Sequence, residues 1–381
     1  MLGFVSLFMD ISSELIHSLL PVFMVTSLGA SVLVVGLVEG VAEATALIVK
    51  VFSGTLSDYL GKRKALAVFG YGLGAISKPL FALAISVHWV FAARFMDRIG
   101  KGIRGAPRDA LVADLTAPEI RGAAYGLRQS LDTVGAFVGP LLAVGLMLLW
   151  AGDFRTVFWF AVIPALVAVL LLIFGVEEPA GAVVRRNLVS PIRWQTLHEL
   201  GSAYWWVVTI GGIFTLARFS EAFLILRAQE QGLPDTYAPL VLVIMNVVYA
   251  LTAYPVGKLA DRMSHKTLLG SGVVVLIVSD LVLAQAHGLA MVAVGVALWG
   301  LHMGMTQGLL ATMVAATAPA DLRGTAFGFF NLVSGIAMLI ASALAGLLWD
   351  MLGAAVTFYA GAVFSVLAFV MLALRREHKP A

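Results

Sequence analysis

The chain has 381 residues, of which 60% are hydrophobic and only 12% are charged, and its mean hydropathy is +0.96. A soluble protein of this length needs far more polar surface, so the composition excludes an ordinary water-soluble fold and indicates a membrane protein. The net charge of +3 gives no reason to expect a nucleic-acid partner, and the lack of cysteine excludes disulfides and thiolate metal sites.

Apolar runs long enough to cross a membrane, about 20 residues each, recur along the whole chain. They predict twelve transmembrane helices at about 2–27, 33–56, 65–86, 89–112, 123–149, 155–176, 203–227, 237–257, 267–286, 289–314, 324–348 and 354–374. The fourth run is the exception, because it holds many charged residues. Its evenly spaced neighbours still require a crossing there, so we predict that its charges face protein or water instead of lipid.

Two charged segments occur twice, about half a chain apart. Residues 54–64, GTLSDYLGKRK, return at 257–266 as GKLADRMSHK, and residues 117–122, APEIRG, return at 318–324 as APADLRG. This repetition predicts two related six-helix bundles, 1–176 and 203–381, joined by a cytoplasmic loop at 177–202. Lysine and arginine gather in alternate loops, which places both termini in the cytoplasm by the positive-inside rule.

With these repeats, the chain resembles the major facilitator superfamily. The family's signature loop between helices 2 and 3, and its repeat between helices 8 and 9, are matched at Gly54, Asp58, Gly61, Lys62, Arg63, Gly257, Asp261, Arg262 and Lys266. The resemblance implies an all-α membrane fold with alternating access around a site at the middle of the bilayer.

The resemblance extends to two helices. In helix 4, Arg98-Ile-Gly-Lys101-Gly102 is similar to the family's Arg-x-x-Gln-Gly motif, with lysine in place of glutamine. In helix 5, the glycine-proline segment looks like the motif associated with exporters that exchange substrate for protons; its residues are Gly135, Gly139, Pro140 and Gly145. Glycines four apart also give a smooth helix face for close packing, so both interpretations stay open.

The repeated loops have a physical role of their own. A carboxylate at a helix end, beside lysine or arginine, can pair with that cation or with the N-terminus of a neighbouring helix. Positive-inside topology explains the cations but not Asp58 and Asp261. We therefore predict that these loops form a conformational latch, whose pairs break when the cytoplasmic side opens.

Acidic residues inside the predicted helices are candidates for proton coupling, because a buried carboxylate must be paired or protonated. Asp10 and Glu14 are four apart and share one face of helix 1. No base adjoins Glu14 in the sequence, so we favour a functional role for it. The coupling candidates are Glu14, Glu43, Asp10, Asp97 and Asp132.

Basic neighbours give some of these acids a simpler interpretation. Asp97 adjoins Arg98, and Glu221 lies close to Arg218, so structural pairing is favoured for both acids. A lone buried histidine such as His302 is more often a packing residue than a ligand. The residues predicted to line the substrate cavity are His17, Glu39, Arg98, Lys101, Arg128, Arg218, Glu221, Asn246, Tyr249, His302, Gln307 and Asn331.

The charge of the substrate stays open at this point. Acidic residues on helices 1 and 2 suit a cation or a metal chelate. The basic residues suit a carboxylate or a phosphate, unless they only balance the acids; they are Arg94, Arg98, Lys101, Arg104 and Arg128.

The sequence has no phosphate-binding loop, metalloprotease motif or nucleophile elbow. We therefore expect a non-enzyme without metal or cofactor: a multi-pass secondary transporter of the bacterial inner membrane, functional as a monomer among membrane lipids. It would move a small organic solute, with proton-coupled export (antiport) favoured by the helix-5 motif. The alternatives are proton-coupled uptake of such a solute or of a metal chelate, lipid translocation, and a transport-dead membrane sensor.

Overall fold

A computed structural model of the chain describes residues 1–177, 194–260, 263–319 and 322–374. These residues form helices and no strand, as the predicted all-α membrane fold requires. The long helices are α1 (Leu2–Ser27), α2 (Val32–Leu60), α3 (Arg63–Ala82), α4 (Val87–Asp114), α5 (Arg121–Leu149), α6 (Phe154–Gly175), α7 (Ser202–Glu230), α8 (Leu240–Ala260), α9 (His265–Ala284), α10 (Leu289–Thr317), α11 (Arg323–Leu352) and α12 (Ala354–Leu374).

Among the described residues, eleven helices are long and apolar enough to cross a membrane. The twelfth, α4, has 28 residues but carries the charges noted above. It packs against α3 backbone to backbone, since a Cβ atom added to Gly70 would lie 2.8 Å from the carbonyl oxygen of Gly100. Such glycine contacts let two helices approach closely without a large apolar surface.

Four helices are interrupted where the apolar runs predict continuity. α6 breaks at Ala161, between segments that end at Phe160 and begin at Val162. α1 breaks before Pro21, which has no N–H to continue the helical hydrogen bonds. α7 stops at Ala217 and resumes at Ala222. α10 breaks at Gly308, whose φ of +89° lies in the left-handed region that glycine adopts without strain. Hydropathy alone misses these breaks, because an average over about 20 residues hardly changes with a few polar residues.

Contacts between residues divide the described chain into two compact units. Unit 1 contains residues 1–30, 41–177 and 234–243, and unit 2 contains residues 31–40, 194–233 and 244–374. The start of α2 therefore packs with unit 2. The predicted bundle boundary lies in the loop at 177–202, most of which is outside the described residues, so that boundary stays a prediction.

Each unit has its own apolar core. In unit 1, residues from α1, α3, α4 and α6 meet around Met9 and Tyr71, neither of which is exposed. In unit 2, residues from α7, α10 and α11 pack around Tyr204, whose hydroxyl donates a hydrogen bond to the carbonyl oxygen of Ala326 at 2.9 Å. These cores hold the charged helices of unit 1 and the polar residues of unit 2 in place.

Candidate functional site

The two acidic residues of α1 lie where α5 approaches most closely. A Cβ atom added to Gly135 would lie 2.9 Å from Asp10 Cβ, and one added to Gly139 would lie 2.9 Å from Glu14 Cβ. Gly145 of the same helix meets no atom within 4 Å. The glycine face predicted for α5 is therefore a packing surface that fixes the position of both acids.

Neither acid is bound by lysine or arginine within the described chain. Glu14 Oε2 lies 3.4 Å from His17 Nδ1, and the Glu14 side chain is 21% exposed. Asp10 is half-buried, and the described residues offer it no hydrogen bond or ion pair. The charges of Lys101 and Arg98 act on Glu14 only over a longer range. Asp10 and Glu14 are thus open to a proton or to a cationic ligand.

Glu43 of α2, in contrast, is ion-paired. Its Oε1 lies 3.1 Å from Arg98 and 3.8 Å from Arg94, two guanidinium groups of α4 that are each 2% exposed. Two buried cations stabilise the ionised form of this carboxylate. The arrangement favours Glu14 over Glu43 as a proton carrier.

Asp97 of α4 forms a buried ion pair that the sequence interpretation missed. Its nearest cation is Lys78 of α3, at 2.7 Å, and the two side chains are 3% and 1% exposed. Lys78 also donates to Ser13 Oγ at 3.0 Å, and Ser77 donates to Asp97 at 3.4 Å. Arg98, the expected partner, lies farther away at 3.5 Å. The available signal was that Lys78 is the only charged residue in the apolar run 65–86.

The cations of α4 form a stripe along one face of the helix, because they follow one another at intervals of three or four residues. Arg104 is buried and lies over the ring of Tyr71, 4.8 Å from its centroid. Lys101 is exposed near the middle of the helix. On this face, as far as the structure describes it, Lys101 alone is both exposed and without a carboxylate within 4 Å. It is the cation best placed to meet a ligand.

A second ionic group joins α4 and α5. Arg128 binds Asp132 at 2.6 Å, one helical turn along α5, and its Nε lies 3.7 Å from Asp109. Arg108 pairs with the same Asp109 at 3.1 Å. The structure thus brings the predicted residues Arg128 and Asp132 together as partners, which leaves Asp132 less available to carry a proton than the two acids of α1.

In unit 2, the charged candidates lie at the break in α7. Arg218 follows the first segment, and its guanidinium lies 5.6 Å from the ring centroid of Phe214. Glu221 and Tyr249 act on Arg218 electrostatically. The break therefore gathers a cation, an acid and a phenol near the middle of the unit's helices.

His302 of α10 matches the packing interpretation. It is fully buried, its Nδ1 lies 3.0 Å from the carbonyl oxygen of Gly272, and its ring packs against Phe214 and Trp299. The other predicted lining residues differ in exposure: Glu39 and His17 are buried, Asn246 and Asn331 are half-buried, and Gln307 is exposed at the break in α10.

Comparison with known proteins decides the family. The profile of the Major Facilitator Superfamily matches residues 2–244 and 208–381. The chain belongs to this superfamily. An uncharacterized MFS-type transporter of Methanocaldococcus jannaschii is 32% identical over 380 residues, 98% of this chain and 93% of that one. The multidrug resistance protein MdtH of Proteus mirabilis is 26% identical over 325 residues, 83% of this chain and 78% of its own.

A solved structure of the nucleoside transporter NupG has the same fold, with a TM-score of 0.80 at 13% identity, over 98% of this chain and 99% of that one. The family match and the membrane spans of the described chain together show a multi-pass membrane transporter of the superfamily. Membership explains why ionisable side chains lie deep in an apolar protein, because transporters of this kind bind their ligands between helices.

The superfamily's signature loop is partly described. Gly61 ends α2 with a φ of +63°, which explains the glycine, and Lys62 caps the start of α3. Arg63 forms an ion pair with Asp114 at the end of α4, a partner that the sequence did not suggest.

The two glycines of the loop and its repeat that lie inside helices have room around them. A Cβ atom added to Gly54 would lie 3.6 Å from Ala106 Cβ, which is an ordinary van der Waals distance. In the repeat, a Cβ atom added to Gly257 would meet no atom within 4 Å, and Lys266 is the second residue of α9. The side chain of Asp58, and Asp261 and Arg262, lie outside the described residues.

The opposite end of α2 is held by α11. Asp350 accepts hydrogen bonds from the backbone N–H groups of Val32 and Leu33, at 3.1 and 2.9 Å. A Cβ atom added to Gly346 would lie 2.6 Å from Leu33 Cα, and one added to Gly36 would overlap a backbone carbonyl oxygen of α11. The carboxylate at the N-terminus of α2 and the glycine-to-backbone packing together hold α2 close against α11.

Proposed function

We propose that this transporter exports a small organic solute across the bacterial inner membrane in exchange for protons, with Glu14 as the main proton carrier and Asp10 as the second. The observation that carries the proposal is how the acids of unit 1 are paired. Glu43, Asp97 and Asp132 are each bound to lysine or arginine, whereas Asp10 and Glu14 of the described chain are not.

A carboxylate that is fixed by a cation cannot carry a proton without breaking its ion pair. A carboxylate that no lysine or arginine holds binds either a proton or a cation, and the two exclude each other on the same oxygen atoms. Exclusion of this kind is the simplest basis for exchange: an organic cation that enters displaces the proton, and a proton that returns displaces the cation. Asp10 and Glu14, one turn apart on α1, are suited to it.

Lys101 supports a second candidate function, proton-coupled uptake of an anion. The negative charges of Glu43, Glu14 and Asp10 act electrostatically on its ammonium group without a direct contact. Protonation of Glu14 would leave Lys101 less balanced and ready to bind a carboxylate or a phosphate group, so proton and anion would bind together. The same residues thus give antiport with a cation and symport with an anion, and the substrate's charge decides between them.

Two observations favour export. The relative from Proteus mirabilis carries the name multidrug resistance protein at 26% identity. The glycines of α5 pack directly on the two open acids, with Pro140 buried beside them, so movement of α5 against α1 would act on the proton site itself. Lipid translocation and a sensor without transport remain as outcomes of the test below.

The test is transport by the full chain in liposomes with a trapped pH indicator. Organic cations and organic carboxylates are supplied in turn to wild type, Glu14→Gln and Asp10→Asn. Asp132→Asn serves as the matched control, because it neutralises an acid that is already paired with Arg128. Empty liposomes report leakage.

We expect proton movement opposite to an organic cation, lost in Glu14→Gln, weakened in Asp10→Asn and kept in the control. Proton movement in the same direction as a carboxylate, with the same dependence on Glu14, would establish uptake instead. Solute flux without proton movement contradicts both forms of coupling. No flux with any solute would favour lipid translocation or a sensor.

A further inference from the structure

Asp280 of α9 is a buried acid that the proposed mechanism does not use. It has no solvent exposure, and neither of its carboxyl oxygens has a hydrogen-bond partner among the described residues. Buried polar groups in folded proteins are nearly always hydrogen-bonded, so such an acid needs an explanation. An ionised carboxylate in this position would cost several kcal/mol, because no donor or cation compensates its burial.

Among the described residues, the helices packed around α9 place no cation within 4 Å of the Asp280 carboxyl group. α12 has no Asp, Glu, Lys, Arg or His between Ala354 and Leu374, and its one phenol, Tyr359, is exposed. On α10 the only titratable residue is His302, whose Nδ1 is already engaged two turns away along α9. α7 reaches the acid with the ring of Phe219, while Arg218 beside that ring lies over Phe214. The other cation of α7 near this helix, Arg227, is held at the end of α9 by the carbonyl oxygens of Leu283, Ala284 and Ala286 and by Glu230, at 2.5 Å.

The immediate surroundings fit a neutral carboxylic acid. A Cβ atom added to Gly361 of α12 would lie 2.9 Å from Asp280 Oδ2, and 3.0 Å from the ring of Phe219. Ser365, one turn further along α12, is also fully buried with a hydroxyl that has no partner in the described chain. Phe219 and Gly361 line a small pocket with room for about one water molecule.

We propose that Asp280 is a proton-binding site: it carries a proton in this conformation and passes it to water when α7, α9 and α12 separate. The release leaves a carboxylate and a hydronium ion, so charge and atoms balance. The pocket lined by Phe219 and Gly361 is where we expect water to approach the acid. A proton held in unit 2 would complement the exchange at Glu14 in unit 1.

Infrared difference spectroscopy tests the bound proton without any substrate. Spectra of the full chain in liposomes near neutral pH are compared between wild type and Asp280→Asn, which keeps the shape of the neutral acid. We expect the wild type to show the C=O stretch of a protonated carboxyl group that is lost in the variant. A difference spectrum that contains only carboxylate bands would overturn the proposal.

Gly361→Ala assigns the band to this site. The added methyl group would press on Asp280 Oδ2, so we expect the acid band to shift in frequency but to remain. The control is Gly324→Ala, because a Cβ atom added there would meet no atom within 4 Å. Gly353→Ala is unsuitable, because the φ of +91° at Gly353 would strain an alanine. A band that is unmoved in Gly361→Ala would contradict the assignment.

The part that Asp280 plays in coupling rests on the proposed function, and the liposome assay separates the two ideas. We expect Asp280→Asn to lower the number of protons moved per solute. If Asp280→Asn leaves that number unchanged while Glu14→Gln abolishes proton movement, the release of the Asp280 proton during transport is refuted and the proposed function stands. If neither variant changes it, the proposed function fails, and the infrared band alone decides whether Asp280 binds a proton.

Discussion

Removing Lys78 should destabilise unit 1 by an amount that the structure allows us to estimate. At the observed 2.7 Å from Asp97, two unit charges attract by ~6 kcal/mol at an effective dielectric constant of about 20. Desolvation of both groups offsets much of this attraction, yet removal of one partner from a buried pair still costs about 3–5 kcal/mol. Because Arg98 remains 3.5 Å from Asp97, we expect Lys78→Met to cost about 3 kcal/mol, the lower end of that range.

The measurement is reversible unfolding of the purified protein in detergent, by denaturant, at neutral pH. Asp97→Asn alone should also destabilise, since it leaves the Lys78 ammonium buried beside Ser13. The double variant, which has neither charge, should recover to within about 1 kcal/mol of wild type. Lys50→Met is the control: Lys50 is exposed on the neighbouring α2, so its loss should change stability by less than about 0.5 kcal/mol.

Two results would refute this reasoning. If Lys78→Met unfolds like wild type, the pair contributes nothing net, and the Asp97 carboxylate is compensated by Arg98 alone. If the double variant is as unstable as Lys78→Met, the lysine stabilises the helices by packing its alkyl chain and not by its charge. Either result would also weaken the argument that fixed pairing excludes Asp97 from proton transfer.

Three further predictions concern helix packing and a cap. Gly139→Val should push α5 from α1 and cost about 1–3 kcal/mol, whereas Gly145→Val, with no atom near it, should be tolerated in the same unfolding assay. Gly36→Ala should loosen the contact between α2 and α11, seen as faster thiol labelling of a single cysteine introduced beside it, since the chain has none of its own. The hydrogen bond from Thr156 lowers the pKa of Asp153, which caps α6, below its usual 3.8. That cap therefore stabilises the helix above about pH 4 and is lost as the pH falls, and Thr156→Ala should remove part of this acid sensitivity in thermal unfolding.

Each of these has an outcome that would count against it. Equal destabilisation by the two α5 valine variants would mean that the glycine face does not set the distance to α1. Unchanged thiol labelling in Gly36→Ala would show that α2 and α11 accommodate a methyl group without separating. If Thr156→Ala and wild type lose stability identically as the pH falls below about 4, the cap does not depend on that hydrogen bond.

The sequence predicted the fold class and the charged face of α4, because both follow from local patterns: apolar runs of a fixed length, and charges at helical spacing. It did not predict the partners. Lys78 and Asp97 are on different helices, and so are Arg63 and Asp114; such pairs depend on which helices pack together and at what height. Asp97 next to Arg98 was a reasonable local choice, yet the structure places a nearer cation on α3.

The role of the helix-5 glycines was also only half predictable. Their spacing predicted a smooth face, but nothing in the spacing revealed which residues that face covers. The structure shows that Gly135 and Gly139 lie on Asp10 and Glu14. The breaks in α7 and α10 were missed because hydropathy is averaged over about 20 residues, and a few polar residues such as Arg218, Glu221 and Gln307 leave that average high.

The pairing pattern explains how a protein can hold so many ionisable groups in an apolar interior and still use few of them. Ion pairs such as Lys78–Asp97 and Arg98–Glu43 compensate each other locally, so they add structure without adding a group that changes its charge. The acids on the accessible face of α1 stand outside these pairs. In the proposed mechanism, protonation of Glu14 or Asp10 would change the field at Lys101 without disrupting the pairs that hold α2, α3 and α4 together. A transporter needs this separation, because a group that changes charge in every cycle cannot also be one on which the packing of its helices depends.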